Sequence, residues 1–256
     1  MRQFSLKNNI GEVYRLNSLD NFLHQPEGLG FKRNATYKKI GNSYEILKDG
    51  FEQTPFTGRI MFKSDNTVSA YRRYSSFESF LQEIPLTLIY RIPGGEYRFD
   101  CIPESIEKTE INSALGMDVG IILMPISLWY KEILKTISGR SYIDIASDST
   151  IPSPCHVLYT PASSITSLTW GQSVSGQGTI ITGGLSGISL SSSDELHIRT
   201  DSNPYKIYKT PGNTDYYGKS DFSKKRFILL HKGTNTIQFN VSGSITIEAR
   251  ILYETV

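Results

Sequence analysis

Reactive residues are scarce. The 256-residue chain has two cysteines and four histidines, and neither set forms a recognisable site. Cys101 and Cys155 are far apart in sequence and carry no flanking ligand pattern. Two buried free thiols are therefore expected, with a stray bridge as the alternative. His24, His156, His197 and His231 show no paired spacing, so no metal site can be assembled from sequence neighbours. Excess charge of one sign is missing as well. A formal net charge of +2 gives no electrostatic reason to expect membrane or specific nucleic-acid binding. The longest apolar run, Val119 to Ile126, is far too short to span a bilayer. The opening MRQFSLKNNI lacks the apolar centre of a signal peptide. Synthesis and folding in a reducing cytoplasm are the expectation.

Catalytic patterns are equally thin. The glycine-rich run from Gly171 to Gly187 lacks the Gly-Lys-Ser/Thr ending of a phosphate loop and never completes G-x-G-x-x-G. Ser175 occupies the second glycine position of a nucleophile elbow, which removes that reading. Glu104, Glu107 and Glu110 could suggest a glycosidase acid pair, but their alternating pattern with Lys108 and Thr109 reads as a solvated strand face. Lys224-Lys225-Arg226, beside Asp221, is too small a basic cluster for a nucleic-acid site. Trp170 with Tyr208, Tyr216 and Tyr217 could form a sugar-stacking platform, yet one tryptophan in a β-sandwich belongs more often to the core. No enzyme, metal or cofactor is expected.

Aromatic residues, by contrast, are plentiful: fifteen tyrosines and twelve phenylalanines favour strands and extended contact surfaces. One helix start is convincing, at Ser75-Ser76-Phe77-Glu78, which fits the S-x-x-E capping box. Phe77, Phe80, Leu81 and Ile84 continue it at helical spacing, and Pro85 is expected to stop it. Strand-like runs, Asn66 to Tyr74 and Leu86 to Ile92, flank it. Asn34 to Lys63 reads as a long hairpin turning at Asp49-Gly50, with Pro55 demoting its second arm to an edge or a projection. Such a hairpin is poorly covered within one subunit, so partner subunits are expected on it. Tyr44, Asp49, Gly50, Phe51 and Phe56 are the positions expected at that boundary. Composition shifts to Ser, Thr and Gly near Lys131 to Arg140, which divides the chain into 1–135 and 136–256. The second part shows serial short strands as in a β-sandwich.

The ordered set Phe22-Leu23, Pro26-Glu27-Gly28-Leu29-Gly30-Phe31, Tyr37, Gly41, Gly58-Arg59-Ile60-Met61-Phe62, Ala70-Tyr71-Arg72-Arg73-Tyr74, Phe77, Phe80-Leu81, Leu88-Ile89-Tyr90 and Ser127-Leu128-Trp129-Tyr130 resembles the distal tail protein family of siphophages that infect Gram-positive bacteria. The C-terminal half matches more loosely, through Leu196-His197-Ile198-Arg199-Thr200 and Gly233-Thr234-Asn235. The resemblance implies a mainly β protein. Its N-terminal domain would be β-sandwich-like, with one α-helix and a projecting hairpin, and its C-terminal domain a galectin-like β-sandwich. It also implies a virion structural protein of the tail tip, a homohexameric hub ring whose channel passes the genome. That ring would join the tail tube protein to a tail-associated lysin or tail fibre, and to receptor-binding proteins of the adsorption apparatus. His197-Ile198-Arg199 is not the galectin H-x-N-x-R motif, and no W-G-x-E follows Trp170. The rival reading is a carbohydrate-binding β-sandwich that recognises host cell-wall polysaccharide.

Overall fold

A computed structural model describes residues 2–40, 43–63, 67–110 and 116–256. The protein is mainly antiparallel β-sheet with one α-helix among the described residues. The chain divides into two compact units, Met1–Tyr130 with Tyr253–Val256, and Lys131–Leu252.

The first unit contains β1 (Gln3–Lys7), β2 (Val13–Arg15), β3 (Asn21–Glu27), β4 (Phe31–Ile40), β5 (Ser43–Gln53), β6 (Phe56–Lys63), α1 (Thr67–Leu81), β7 (Leu86–Ile92), β8 (Gly95–Glu110) and β9 (Gly116–Pro125). Antiparallel pairing runs β2–β1–β7–β8–β9–β6–β3. Strand β8 changes partner at Cys101, which faces Leu86 of β7 and Pro125 of β9. A register shift follows between Pro103 and Ser105. Such an irregularity bends a strand and raises its twist, and here it folds the ribbon over a core. Phe4 of β1 meets Phe56 of β6 at 5.6 Å and stacks on Tyr90 of β7 at 4.6 Å. Along β6, Phe56, Gly58, Ile60 and Phe62 are buried and Thr57, Arg59 and Met61 between them are half-exposed, the period-two pattern of a sheet with one covered face.

Helix α1 begins at Thr67, so Ser75 lies in mid-helix and not at a cap. Its carbonyl accepts the Ser79 hydroxyl at 3.0 Å. The expected strand Asn66 to Tyr74 is helical from Thr67 onward, and Asn66 lies outside the described residues. Burial explains the longer helix. Ala70, Phe77, Phe80 and Leu81 are all buried, one stripe at three- and four-residue spacing. Phe77 packs on Phe62 at 5.6 Å and on Tyr14 at 4.8 Å. Fully burying each such ring stabilises the fold by roughly 1.5–3 kcal/mol, enough to override the strand preference of Tyr71 and Tyr74. The helix ends at Leu81, three residues before Ile84, as Gln82 and Glu83 donate to the carbonyls of Ser79 and Phe80.

The second unit holds most of β10 (Trp129–Ser147), then β11 (Ser153–Pro161), β12 (Ile165–Val174), β13 (Gly178–Leu190), β14 (Glu195–Arg199), β15 (Lys206–Thr210), β16 (Thr214–Asp215), a 3-10 turn at Tyr217–Lys219, β17 (Leu229–Leu230) and β18 (Gly233–Tyr253). The compositional shift at Lys131 to Arg140 therefore falls inside a strand. Not all of the unit's strands are short, since β18 runs unbroken from Gly233 to Tyr253. Its first half pairs with β12 and its second half with β11, so it serves two sheets. One is ordered β16–β15–β14–β11–β18 and the other β13–β12–β18. The change of sheet centres on Gly243, where a Cβ would lie 2.3 Å from the Thr160 carbonyl oxygen. Between the sheets Tyr159 stacks on Phe239 at 4.4 Å.

Candidate functional site

The clearest candidate is an arm built by β4 and β5. Ten antiparallel pairs run from Phe31↔Gln53 to Ile40↔Ser43, a ribbon roughly 33 Å long at ordinary strand rise. Among the described residues these strands pair with each other and with no third strand. Residues 41–42, which include Gly41, lie outside the described residues. Asp49 and Gly50 do not form the turn. They sit within β5, opposite Ala35 and Asn34, because the hairpin reverses between Ile40 and Ser43. Pro55 follows the end of β5 and separates the arm from β6.

The register makes the arm amphipathic. Tyr37 faces Ile46, and two residues on Lys39 faces Tyr44, which puts Tyr37, Tyr44 and Ile46 on one face together with Lys39. These side chains are 56%, 69% and 50% exposed. The opposite face is polar, with Lys38 opposite Glu45 and the Asn34 amide donating to Glu52 at 2.6 Å. An isolated two-stranded ribbon is marginal in water, and an apolar face of this kind marks a contact surface.

The base of the arm is held by backbone. Gly28 has φ of +84°, and a Cβ there would lie 2.0 Å from the Pro55 carbonyl oxygen. Glycine is thus required twice over, for conformation and for space. Gln53 Nε2 and Thr54 Oγ1 both donate to the Gly30 carbonyl, at 2.8 and 2.9 Å. Nearby, Asp118 of β9 ties β3 to β6, accepting from Arg59 Nε at 2.6 Å and meeting His24 Nε2 at 3.0 Å.

Of the five positions expected at a subunit boundary, Tyr44 lies on the exposed apolar face. Gly50 is half-exposed in β5. Asp49 and Phe51 hold register positions opposite Ala35 and Arg33, and their side chains lie outside the described residues. Phe56 is a correction. It is fully buried against Phe4 and belongs to the core. Tyr37 and Ile46 were not among the five; the alternation Tyr44, Glu45, Ile46 was an available signal for Ile46, whereas Tyr37, Lys38 and Lys39 do not alternate.

The other flagged residues hold no catalytic arrangement. Among the described residues no three His, Cys, Asp or Glu side chains converge as a metal site would, and no helix is long and apolar enough to cross a membrane. Glu104 and Glu107 are exposed along β8. Trp170 is buried, its Nε1 donating to the Arg226 carbonyl at 2.9 Å and its ring lying over Gly183. Tyr216 is also buried and donates to the Ser189 carbonyl. The platform of Trp170 and Tyr216 is therefore core. Both cysteines are buried free thiols, and burial pushes each thiol up to about 12. His156 and His197 are brought together at 2.9 Å, a pairing that no sequence spacing announces, since register across β11 and β14 creates it.

Comparison with known proteins agrees with this architecture. Among solved structures, the chain is similar to one in the phage P2 baseplate in its activated conformation with Ca, with a TM-score of 0.64, 13% identity and 100% of both chains covered. It is also similar to the SPP1 Dit (gp 19.1) protein, with a TM-score of 0.69, 9% identity, and 97% of this chain and 99% of that one covered. At such identities the likeness shows the fold alone. No curated protein matches by sequence. Residues 3–126 match the family model described as the distal tail protein, N-terminal domain. That match spans just under half of the chain, whose N-terminal part is thus similar to the distal tail protein N-terminal domain.

Proposed function

We propose that the protein is a structural hub of a phage tail tip: a homohexameric ring that joins the tail tube protein to the tail-associated lysin or tail fibre. The observation that carries this reading is the β4–β5 arm, whose apolar face of Tyr37, Tyr44 and Ile46 is left open to solvent by a domain similar to the distal tail protein N-terminal domain. A neighbouring copy of the chain covers that face. Such contacts are heterologous, one surface meeting a different one, and they close into a ring at a fixed rotation. The solved relatives support the setting: one is part of a baseplate, and the other is described as a paradigm of a hub adsorption apparatus in phages that infect Gram-positive bacteria.

In this reading the first unit builds the ring and the second is a galectin-like sandwich. The protein has no enzymatic role, resides at the virion tail tip after assembly in the host cytoplasm, and gives receptor-binding proteins a place to attach. The test is its mass in solution together with negative-stain imaging. A six-fold ring is expected. A stable monomer at high concentration, with no rings on grids, would overturn the proposal.

A further inference from the structure

The second unit contains an open cleft of about 720 Å³, lined by Arg199, Tyr205, Lys206, Tyr208, Asn213, Asp215 and Tyr217 among others. That volume lies within the range of small-ligand sites. No residue of the β4–β5 arm is among those that line it.

Three tyrosines line the cleft, and each packs against another ring. The Tyr208 ring lies parallel to His197 at 4.5 Å. Tyr205 sets its edge against Phe227 at 4.9 Å and is 41% exposed. Tyr217 packs on Phe222 and Phe227, with the Arg226 guanidinium 5.1 Å from its ring and bonded to its hydroxyl at 3.2 Å. Rings held in this way lose little freedom when a ligand arrives.

The charges of the polar groups cancel. Arg199 is clamped by Asp201 through bonds of 2.9 and 2.8 Å, which neutralises it. Lys206 and Asp215 bring opposite charges to the same cleft. Asp215 Oδ1 accepts the Tyr217 amide at 2.8 Å, which fixes the carboxylate. Among the described residues, the Lys206 ammonium and the Asn213 amide have no hydrogen-bond or ion-pair partner. Apolar ring faces, hydrogen-bonding groups pointing into one cleft and no net charge match one ligand chemistry. An ionic ligand would meet no opposing field, and a purely apolar one would strand Asp215, Asn213 and Lys206 without water.

We propose that this cleft binds a short neutral oligosaccharide, whose C–H faces stack on Tyr205, Tyr208 and Tyr217 and whose hydroxyls bond to Asn213, Asp215 and Lys206. The site is separate from Trp170, and the proposal does not depend on ring formation.

The full-length protein is screened against an array of neutral oligosaccharides, including maltotriose, chitotriose and rhamnose oligomers, with poly(glycerol phosphate) as the anionic arm. The best neutral hit is then titrated by calorimetry. Binding of at least one neutral oligosaccharide is expected, weakened tenfold or more by Tyr205→Ala and by the Lys206→Ala/Asn213→Ala pair. Tyr142→Ala, which alters a similarly exposed tyrosine (39%) outside the cleft, should leave it unchanged. Circular dichroism and thermal melting establish that the variants are folded. Absence of neutral binding, binding of poly(glycerol phosphate) alone, or affinity retained in both cleft variants would overturn the proposal. Ring formation, read separately by mass, keeps a failure here distinct from a failure of the hub reading.

Discussion

His156 Nε2 and His197 Nδ1 lie 2.9 Å apart, and the two rings stack at 5.1 Å. The pair is the centre of a chain across the sheet, from Glu248 at 3.2 Å on one side to the Thr210 hydroxyl at 2.8 Å on the other. Burial, and next the neighbouring His156, hold the His197 imidazole below its ordinary 6.5, against the opposing pull of Glu195 and Glu248. The folded protein therefore resists a proton that the unfolded chain accepts. Stability from this group is fully present above about pH 6.5 and is lost as pH falls from there through the lower folded value. A falling melting temperature between pH 7 and pH 5 is expected, with a smaller fall in His197→Gln. Parallel curves for the two proteins would refute the assignment.

Gly28→Ala should be among the most damaging single changes in the first unit. The new methyl would meet the Pro55 carbonyl oxygen at 2.0 Å from a residue at φ +84°, and backbone on both sides leaves little room to yield. A loss of roughly 3 kcal/mol, at the upper end of ordinary mutational effects, is expected in denaturant titration. Gly30→Ala, where a Cβ meets nothing within 4 Å, should be mild and serves as the comparison.

The arm makes a different prediction. Tyr37→Ser, Tyr44→Ser and Ile46→Ser combined should abolish or strongly weaken assembly. Folding should be almost untouched, since exposed substitutions ordinarily change stability by about 0.5 kcal/mol or less. Sedimentation velocity beside thermal melting separates these effects. Intact rings from the triple variant would rule out this face as the contact.

Thiol chemistry gives an inexpensive check on the cores of both units. Burial raises Cys101 and Cys155 to about 12, and the Cys155 thiol donates to the Ile228 carbonyl at 3.4 Å. Neither should react with Ellman's reagent at pH 8 in the folded protein, because almost no thiolate exists there. Both should react in denaturant. Rapid reaction of either under native conditions would contradict the packing.

The strand Leu86–Ile92 was legible in the sequence, whereas the buried face of Phe56, Ile60 and Phe62 was hidden by reading their strand as part of the arm. The helix was legible only in its second half. Ser75-Ser76-Phe77-Glu78 has the letters of a cap, but a local motif does not exclude another turn of helix before it, and the contacts of Phe77 with Phe62 and Tyr14 are invisible in one dimension. Asp49-Gly50 misled for a related reason. A turn dipeptide has no effect when the pairing register places it within a strand. The arm was visible as a hairpin, whereas its apolar face depended on the register, including the shift between Thr36 and Tyr37. The histidine pair joins strands distant in sequence, and no spacing could have shown it, whereas the tyrosine cleft comes from one local stretch, residues 199–217, of whose lining tyrosines only Tyr208 and Tyr217 stood out.

The return of Tyr253–Val256 to the first unit has a mechanical consequence. Tyr253 is fixed there, its ring set edge-on against Tyr97 at 5.2 Å. The chain therefore crosses between the units twice, once after Tyr130 and once after Leu252. A load on the second unit is shared by two covalent tethers in parallel, and a protease that severs one crossing leaves the unit leashed by the other.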